Sequence, residues 1–346
     1  MTTLSSKPNL FRHATKELSQ DAFLCWLLEW SDKSNVSEDA GLHSAGLHLL
    51  NSLLELHGQK PVVGPDICIH KQLCHVDIVV EVNMDIVLMV EDKVHSREHD
   101  AQLSYRDCIS HKYPGRNILP IYFKTGDQCD YARVESAGYL CFLRKEFLSV
   151  LDEGIRLGVS HPTFCDFREY LWDRENSIEA FRNTRVSEWP KGSERWIGFF
   201  KELKIAKKDL AWSYVNNQSG GFWCAHWHWA KWNGQEVYLQ IEEGKLCFKI
   251  ATGRAANKSQ VRDSWKDQVF KAVKTPNVLQ LVRPNRLGHG TWMTAALVER
   301  DDWMTTDTQG LLDMKKTLLR LARAERLLSA AVASSSSSGA GRKHRS

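Results

Sequence analysis

The sequence predicts two consecutive domains, an α/β domain on a mixed sheet and then an α+β domain that contains an antiparallel meander. Three observations lead there. From about Ser19 to Leu143 the order is helices, three strands, a helix and two strands, which places helices against a sheet of mixed direction. Asn233-Gly234 and Glu243-Gly244 join three apolar segments at hairpin spacing, and Asn-Gly is a strong hairpin signal. Between these regions Asn176 to Gly192 is polar and ends in Trp189-Pro190-Lys191-Gly192. The expected organisation is a first domain over 1–175, a linker over 176–192, a second domain over 193–332 and a disordered, Ser-rich tail over 333–346.

The first helix is expected over about Ser19 to Trp30, where Ala22, Phe23, Trp26, Leu27 and Trp30 share a face and Ser19 caps the start. A second runs over Leu42 to Leu56 and stops near Gly58 and Pro61. Asp66 to Leu73, His75 to Val82 and Asp85 to Glu91 are rich in Val and Ile and read as strands. The last two form a hairpin, with the turn within Glu81-Val82-Asn83-Met84-Asp85. A helix over about Glu98 to Lys112 ends at Pro114-Gly115, and strands follow at Asn117 to Lys124 and Tyr139 to Leu143. Helices continue from Leu148 to Tyr170.

In the second half, Glu194 to Lys207 is helical, with Trp196, Phe199, Phe200 and Leu203 on one side. Strands over Gly221 to Trp232, Glu236 to Glu242 and Lys245 to Thr252 form the meander. A helix over Ser259 to Val273, a hairpin over Leu279 to Val298 and a helix over Gln309 to Ala331 complete the domain.

Composition narrows the function classes. The 346 residues carry 46 Lys+Arg and 42 Asp+Glu, a net charge of +4, too weak to argue for a polyanion by itself. At 42% hydrophobic and 25% charged residues the chain is that of a globular protein. Nine scattered cysteines, none in Cys-x-x-Cys, fit a reduced compartment, with most thiols acting as small apolar side chains. The first residues are polar, no apolar run would span a bilayer, and the expectation is a cytoplasmic protein with no membrane partner. No phosphate-loop motif and no Gly-x-Ser-x-Gly elbow occurs, which argues against a P-loop motor and an elbow-type hydrolase.

The chemistry concentrates where the third strand ends in Glu91-Asp92-Lys93. Side chains alternate along a strand, so Glu91 and Lys93 share a face and Asp92 points to the other. Hairpin pairing brings Asp77 beside Glu91. Two carboxylates and a lysine then converge at the end of a rigid sheet, a donor set suited to Mg²⁺ or Mn²⁺.

With these residues in place, the chain resembles the PD-(D/E)XK nuclease superfamily, which has a restriction-endonuclease-like core. Asp77, Glu91 and Lys93 match its D…(D/E)-x-K signature, with Val76 where the motif often has proline. The stretch Glu17-Leu18-Ser19-Gln20-Asp21-Ala22-Phe23 is similar to the opening helix of a bacterial branch, and Gln102-Leu103 with Tyr105 to the Gln-Leu-x-x-Tyr helix of RecB-like nucleases. Here Tyr105 stands one residue closer to Gln102 than in that pattern. The resemblance covers about Ser6 to Arg144. It implies a Mg²⁺- or Mn²⁺-dependent nuclease acting on nucleic acid, DNA before RNA, in bacterial or phage defence or in DNA processing, and able to work as a homodimer. It implies Asp77, Glu91, the Asp92 backbone carbonyl and Glu17 as metal ligands, directly or through water. Lys93 would position the attacking water, and Gln102 would orient Lys93 or a phosphate. Two alternatives stay open: an idle nuclease fold that serves as a nucleic-acid-binding or interaction module, and a hydrolase of smaller phosphodiesters.

Other features carry two readings each. Cys224, His226 and His228 alternate as zinc ligands would, or lie on a half-buried strand whose other face is Trp223, Trp227 and Trp229. The aromatic run from Phe222 to Trp232 is a base-stacking platform or, preferred here, core. The lysine rows around Lys201 to Lys208 and Arg262 to Lys271 are solvated helix faces or phosphate-tracking stripes. His95, Arg97 and His99 follow Lys93 and face the site or simply form a loop.

Overall fold

A computed structural model describes residues 7–94, 102–217, 220–253, 255, 257–273, 279–285 and 290–336, of which 102–104 and 335–336 are described by backbone alone. The chain divides into two units, 1–176 and 177–346.

In the first unit α1 (Glu17–Glu29) and α2 (Ala40–Leu56) precede β1 (Ile67–Leu73), β2 (Val76–Val82) and β3 (Ile86–Lys93). Then come α3 (Gln102–Lys112), β4 (Asn117–Lys124), the short α4 (Ala132–Ser136), β5 (Leu140–Leu143), α5 (Arg144–Arg156) and α6 (Pro162–Glu179). The sheet order is β1-β2-β3-β4-β5. The β1–β2 and β2–β3 pairs are antiparallel, and the β3–β4 and β4–β5 pairs are parallel. The sheet is therefore mixed, as expected, and the helix crossing from β3 to β4 is what a parallel pair requires. The short α4 was not anticipated.

Alternation divides the strands between two cores. Ile78, Val80, Leu88, Val90, Ile121 and Phe123 pack with Leu24, Leu27, Leu28, Leu49 and Leu53 of α1 and α2. Val79, Val87, Met89 and Tyr122 pack on the other side with Ile109 of α3 and Val134 of α4. Gly46 lets α1 and α2 approach closely, since a Cβ there would run into the Leu27 carbonyl and the Ser31 amide.

Arg144, 3% exposed, pairs with Asp127 at 2.7 Å and with Glu175 at 2.7 Å, tying α5 to α6 and to the turn after β4. Burial pushes the Glu175 carboxyl up, but Arg144 more than reverses this and holds it below its ordinary value. A carboxyl depressed on folding contributes stability above its unfolded pKa and loses it as pH falls through the folded value. Glu175→Gln is therefore expected to cost about 2 kcal/mol at neutral pH. That difference should shrink below about pH 4.5; urea titrations across pH measure it.

Cys74 and Cys108 form a disulfide with Cα atoms 5.9 Å apart, fastening α3 to the β1–β2 turn. These two depart from the expected reduced set; Cys25, Cys68, Cys165, Cys224 and Cys247 keep free thiols. With the two cysteines 34 positions apart, Cys108→Ser is expected to lower stability by about 3 to 4 kcal/mol on loop-closure grounds. Denaturation with and without reductant checks this, because reductant should abolish the difference.

Residues 176–192, expected as a polar linker, instead carry the end of α6 and two turns of 3-10 helix, with Ile178, Phe181, Val186 and Trp189 buried. The second unit continues with α7 (Arg195–Ala206), β6 (Ala211–Val215), β7 (Phe222–Trp232), β8 (Gln235–Glu242), β9 (Lys245–Ala251) and α8 (Lys258–Lys271). β10 (Leu281–Val282), β11 (Trp292–Val298), α9 (Arg300–Trp303) and α10 (Met314–Ser336) complete it. Its sheet, ordered β10-β11-β9-β8-β7-β6, is antiparallel throughout. The meander and the following hairpin match the expectation, whereas β6 was not anticipated. Helix α10 extends into the region expected as a disordered tail; positions 337–346 lie outside the described residues. No helix among the described residues is long and apolar enough to cross a membrane.

Candidate metal centre

The site forms because β3 is interior to its sheet and yet ends in charge. Glu91, Asp92 and Lys93 are 5%, 1% and 6% exposed, so each needs a partner. The β2–β3 ladder pairs Ile78 with Val90, and one further step sets Asp77 opposite Glu91. Lys93 Nζ lies 2.8 Å from Glu91 Oε1 and 3.1 Å from Asp77 Oδ2, and it donates to the Asp92 carbonyl oxygen at 2.7 Å. The Asp92 amide donates to Asp77 Oδ2 at 2.9 Å, and Gln72 donates to Asp77 Oδ1 at 3.1 Å. Three oxygens from two adjacent strands thus surround one cationic nitrogen.

Burial alone would lower the Lys93 pKa, but the charges of Glu91 and Asp77 outweigh it and hold the ammonium above the ordinary lysine range. Lys93 is therefore a fixed cation and hydrogen-bond donor at neutral pH.

Asp92 points to the opposite face, toward α1, as alternation requires. Gln20 donates to its carboxylate, and Thr125 after β4 donates to Gln20. Asp21, 2% exposed, meets Asp92 behind the strand end. Burial, and then the adjoining Asp21, push the Asp92 carboxyl well above its ordinary value. Glu17, in the first turn of α1, accepts from the Val94 amide at 3.2 Å. Glu17, Gln20 and Asp21 follow i, i+3, i+4 spacing, so one polar stripe of α1 grips the end of β3.

The structure brings Asp77, Glu91, Lys93 and the Asp92 carbonyl together and sets Glu17 at the adjoining Val94 amide. Gln102 opens α3, and its side chain lies outside the described residues, as do His95, Arg97 and His99. Sequence reasoning missed Gln20, Asp21 and Thr125 as parts of the site, although the polar stripe on an apolar helix was a signal for the first two. It also missed Lys124, 1% exposed and in register with Lys93 on β4, which places a second buried lysine on the same face of the sheet.

The donor atoms are hard oxygens, two carboxylates and a carbonyl already gathered around a cation, and this set fits Mg²⁺ or Mn²⁺. A separate group, Cys68, His70 and Glu81, places ligand-type atoms within 4.8 Å of one another. There Glu81 also accepts from Arg116, and from Tyr113 at 3.1 Å, so an ion-pair cluster accounts for it.

Cys224, His226 and His228 are not among the described residues that cluster as metal ligands. A bulge between Trp227 and Ala230 breaks the alternation, and the His228 ring bonds Ser329 Oγ at 3.0 Å. The bulge also corrects the aromatic expectation. Trp227 and Trp232 are core, but Trp229 is 43% exposed on the other face of the sheet. Arg262, expected in a solvated row, is buried and paired with Asp263 at 3.1 Å.

No protein-family model, curated protein or solved structure matches this chain.

Proposed function

We propose that the chain is a Mg²⁺- or Mn²⁺-dependent nuclease whose first unit is a restriction-endonuclease-like core and whose substrate is nucleic acid, DNA before RNA. The observation that carries this reading is the clasp of Lys93 Nζ by Asp77, Glu91 and the Asp92 carbonyl at 2.7 to 3.1 Å. Those oxygens, with Glu17 beside them, would hold the ion; bound there, it would supply an activated water and offset phosphate charge. Lys93, kept protonated by its neighbours, orients the water and balances charge developing on the phosphate. Gln102 at the start of α3 would steady a phosphate or Lys93. Asp92, Asp21, Gln20 and Thr125 hold the strand end rather than the substrate. A cytoplasmic setting and a homodimer that cuts both strands belong to the same proposal. The complete charge set favours an enzyme over an idle binding fold.

The test incubates the purified chain with linear and circular duplex DNA, single-stranded DNA and RNA in Mg²⁺ or Mn²⁺. Cleavage that requires metal and is lost in Asp77→Ala is the expected result. Calorimetry should show Mn²⁺ binding that disappears in the same variant. A chain that neither cuts nor binds metal would refute the reading.

A further inference from the structure

The second sheet has two unlike faces. Val237, Leu239, Ile241, Phe248 and Ile250 are buried on one. By register the other carries Tyr238, Gln240 and Glu242 of β8, Lys249 of β9, and Thr294 and Trp292 of β11. Trp229 joins this second face because the bulge, with His228 at φ 57°, absorbs one residue of β7.

At one end Trp229 lies flat on Tyr238, with ring centroids 4.0 Å apart and planes 13° apart. Trp292 stands perpendicular to Trp229 at 6.0 Å, and the His226 ring meets Trp229 edge-on at 5.5 Å. Trp229 and Trp292 are 43% and 53% exposed. One tryptophan is a floor and the other a wall, and both are open to solvent.

Beside them runs a polar row. Lys249 Nζ donates to Glu242 Oε1 at 2.7 Å and to Thr294 Oγ1 at 3.0 Å, and Gln240 donates to Glu242 at 2.8 Å. Lys249 and Gln240 are buried on this face beside Tyr238 and Cys247. Farther along, a cavity of about 390 Å³ is lined by Glu242, Thr294, Lys245, Arg283 and Glu299, together with Cys247 and Leu297. Lys249 neutralises Glu242, and the described residues of this region also include Lys231, Lys245 and Arg283 against Glu236 and Glu299.

We propose that this face binds the unpaired bases of a single nucleic-acid strand, with bases stacked on Trp229 and Trp292 and the backbone passing Lys231 and Lys245. Exposed, flat aromatic rings suit bases because every base has a π-face, and flanking lysines suit a phosphate backbone. The choice of a strand over a free nucleotide rests on the nuclease reading of the first unit.

The test uses the full chain in EDTA, so that binding is measured apart from cleavage. Anisotropy of a labelled oligothymidylate of about 20 nucleotides should report binding. Trp229→Ala and Trp292→Ala should each weaken it about tenfold and the double variant about a hundredfold. The double Phe variant should keep affinity within about threefold, because its rings still stack. Matching melting curves establish that every variant is folded. Affinity unchanged in the double Ala variant overturns the proposal, as does thymidine monophosphate or blunt duplex binding as tightly as the oligomer. Absence of oligomer binding, with self-association that the double variant abolishes, also overturns it and makes the face a protein interface. Metal-dependent cutting without tryptophan-dependent binding refutes this proposal alone. Tryptophan-dependent binding by a chain that cuts nothing supports it while the nuclease reading fails.

Discussion

Replacing Lys93 by methionine is expected to move cleavage and metal affinity in opposite directions. The cleavage rate should fall by about 10²- to 10³-fold, the cost of losing a preorganised positive donor at the reacting phosphate. Mn²⁺ should bind more tightly, because Nζ now holds the three oxygens that the ion would use. Without metal the variant should lose about 3 kcal/mol of stability, since Asp77 and Glu91 would face each other uncompensated. Mn²⁺ should restore most of that loss. Single-turnover cleavage, calorimetry and denaturation with and without Mn²⁺ measure the three effects. Weaker Mn²⁺ binding in the variant would show that the ammonium does not stand where the ion belongs.

Gly126→Ala should disable the same centre without touching a ligand. Gly126 follows Thr125 where the chain leaves β4, and a Cβ there would run into the Val94 carbonyl oxygen. The atoms the Cβ meets all belong to the Val94 backbone next to the centre, so relief requires the β3 and β4 ends to separate. Thr125 donates its amide to the Lys93 carbonyl at 3.3 Å, and the Val94 amide donates to Glu17. Separation therefore strains both links. The expected cost is about 3 kcal/mol, toward the upper end for overpacking, with Mn²⁺ affinity falling alongside. Thermal melting and calorimetry check this; an Ala variant as stable and as Mn²⁺-competent as the parent would show that the strand ends yield freely.

How much of this was legible in the sequence follows from the range of the interactions involved. Asp77, Glu91 and Lys93 were legible because alternation and a short hairpin are local: the turn at Asn83-Met84-Asp85 sets the register, and the register sets the pairing. The same alternation sent Asp92 to the opposite face, although not to its partner. Gln20 meets Asp92 across 72 positions, and Thr125 meets Gln20 across 105, separations at which spacing carries no information. The Cys74–Cys108 link was hidden for the same reason, since scattered cysteines do not declare a pairing. Lys124 became visible only through the parallel register of β4 on β3. In the second unit the apolar pattern located β7, β8 and β9, but Ala211–Val215, five residues long, is too short to announce a strand. Trp229 was assigned to the core because strict alternation from Trp227 was assumed, and one residue in the left-handed region was enough to reverse it.

The bulge at His228 also determines where this chain tolerates a change of length. Before it, Ala225 and Trp227 face the helices; after it, Ala230 and Trp232 do, so the inward positions change from odd to even within one strand. Deleting His228 would leave both halves with their present faces and merely straighten the strand. Deleting any neighbour at a paired position would invert one half, exposing tryptophan and burying lysine. The same loss of one codon is thus nearly silent at one position and ruinous two positions away.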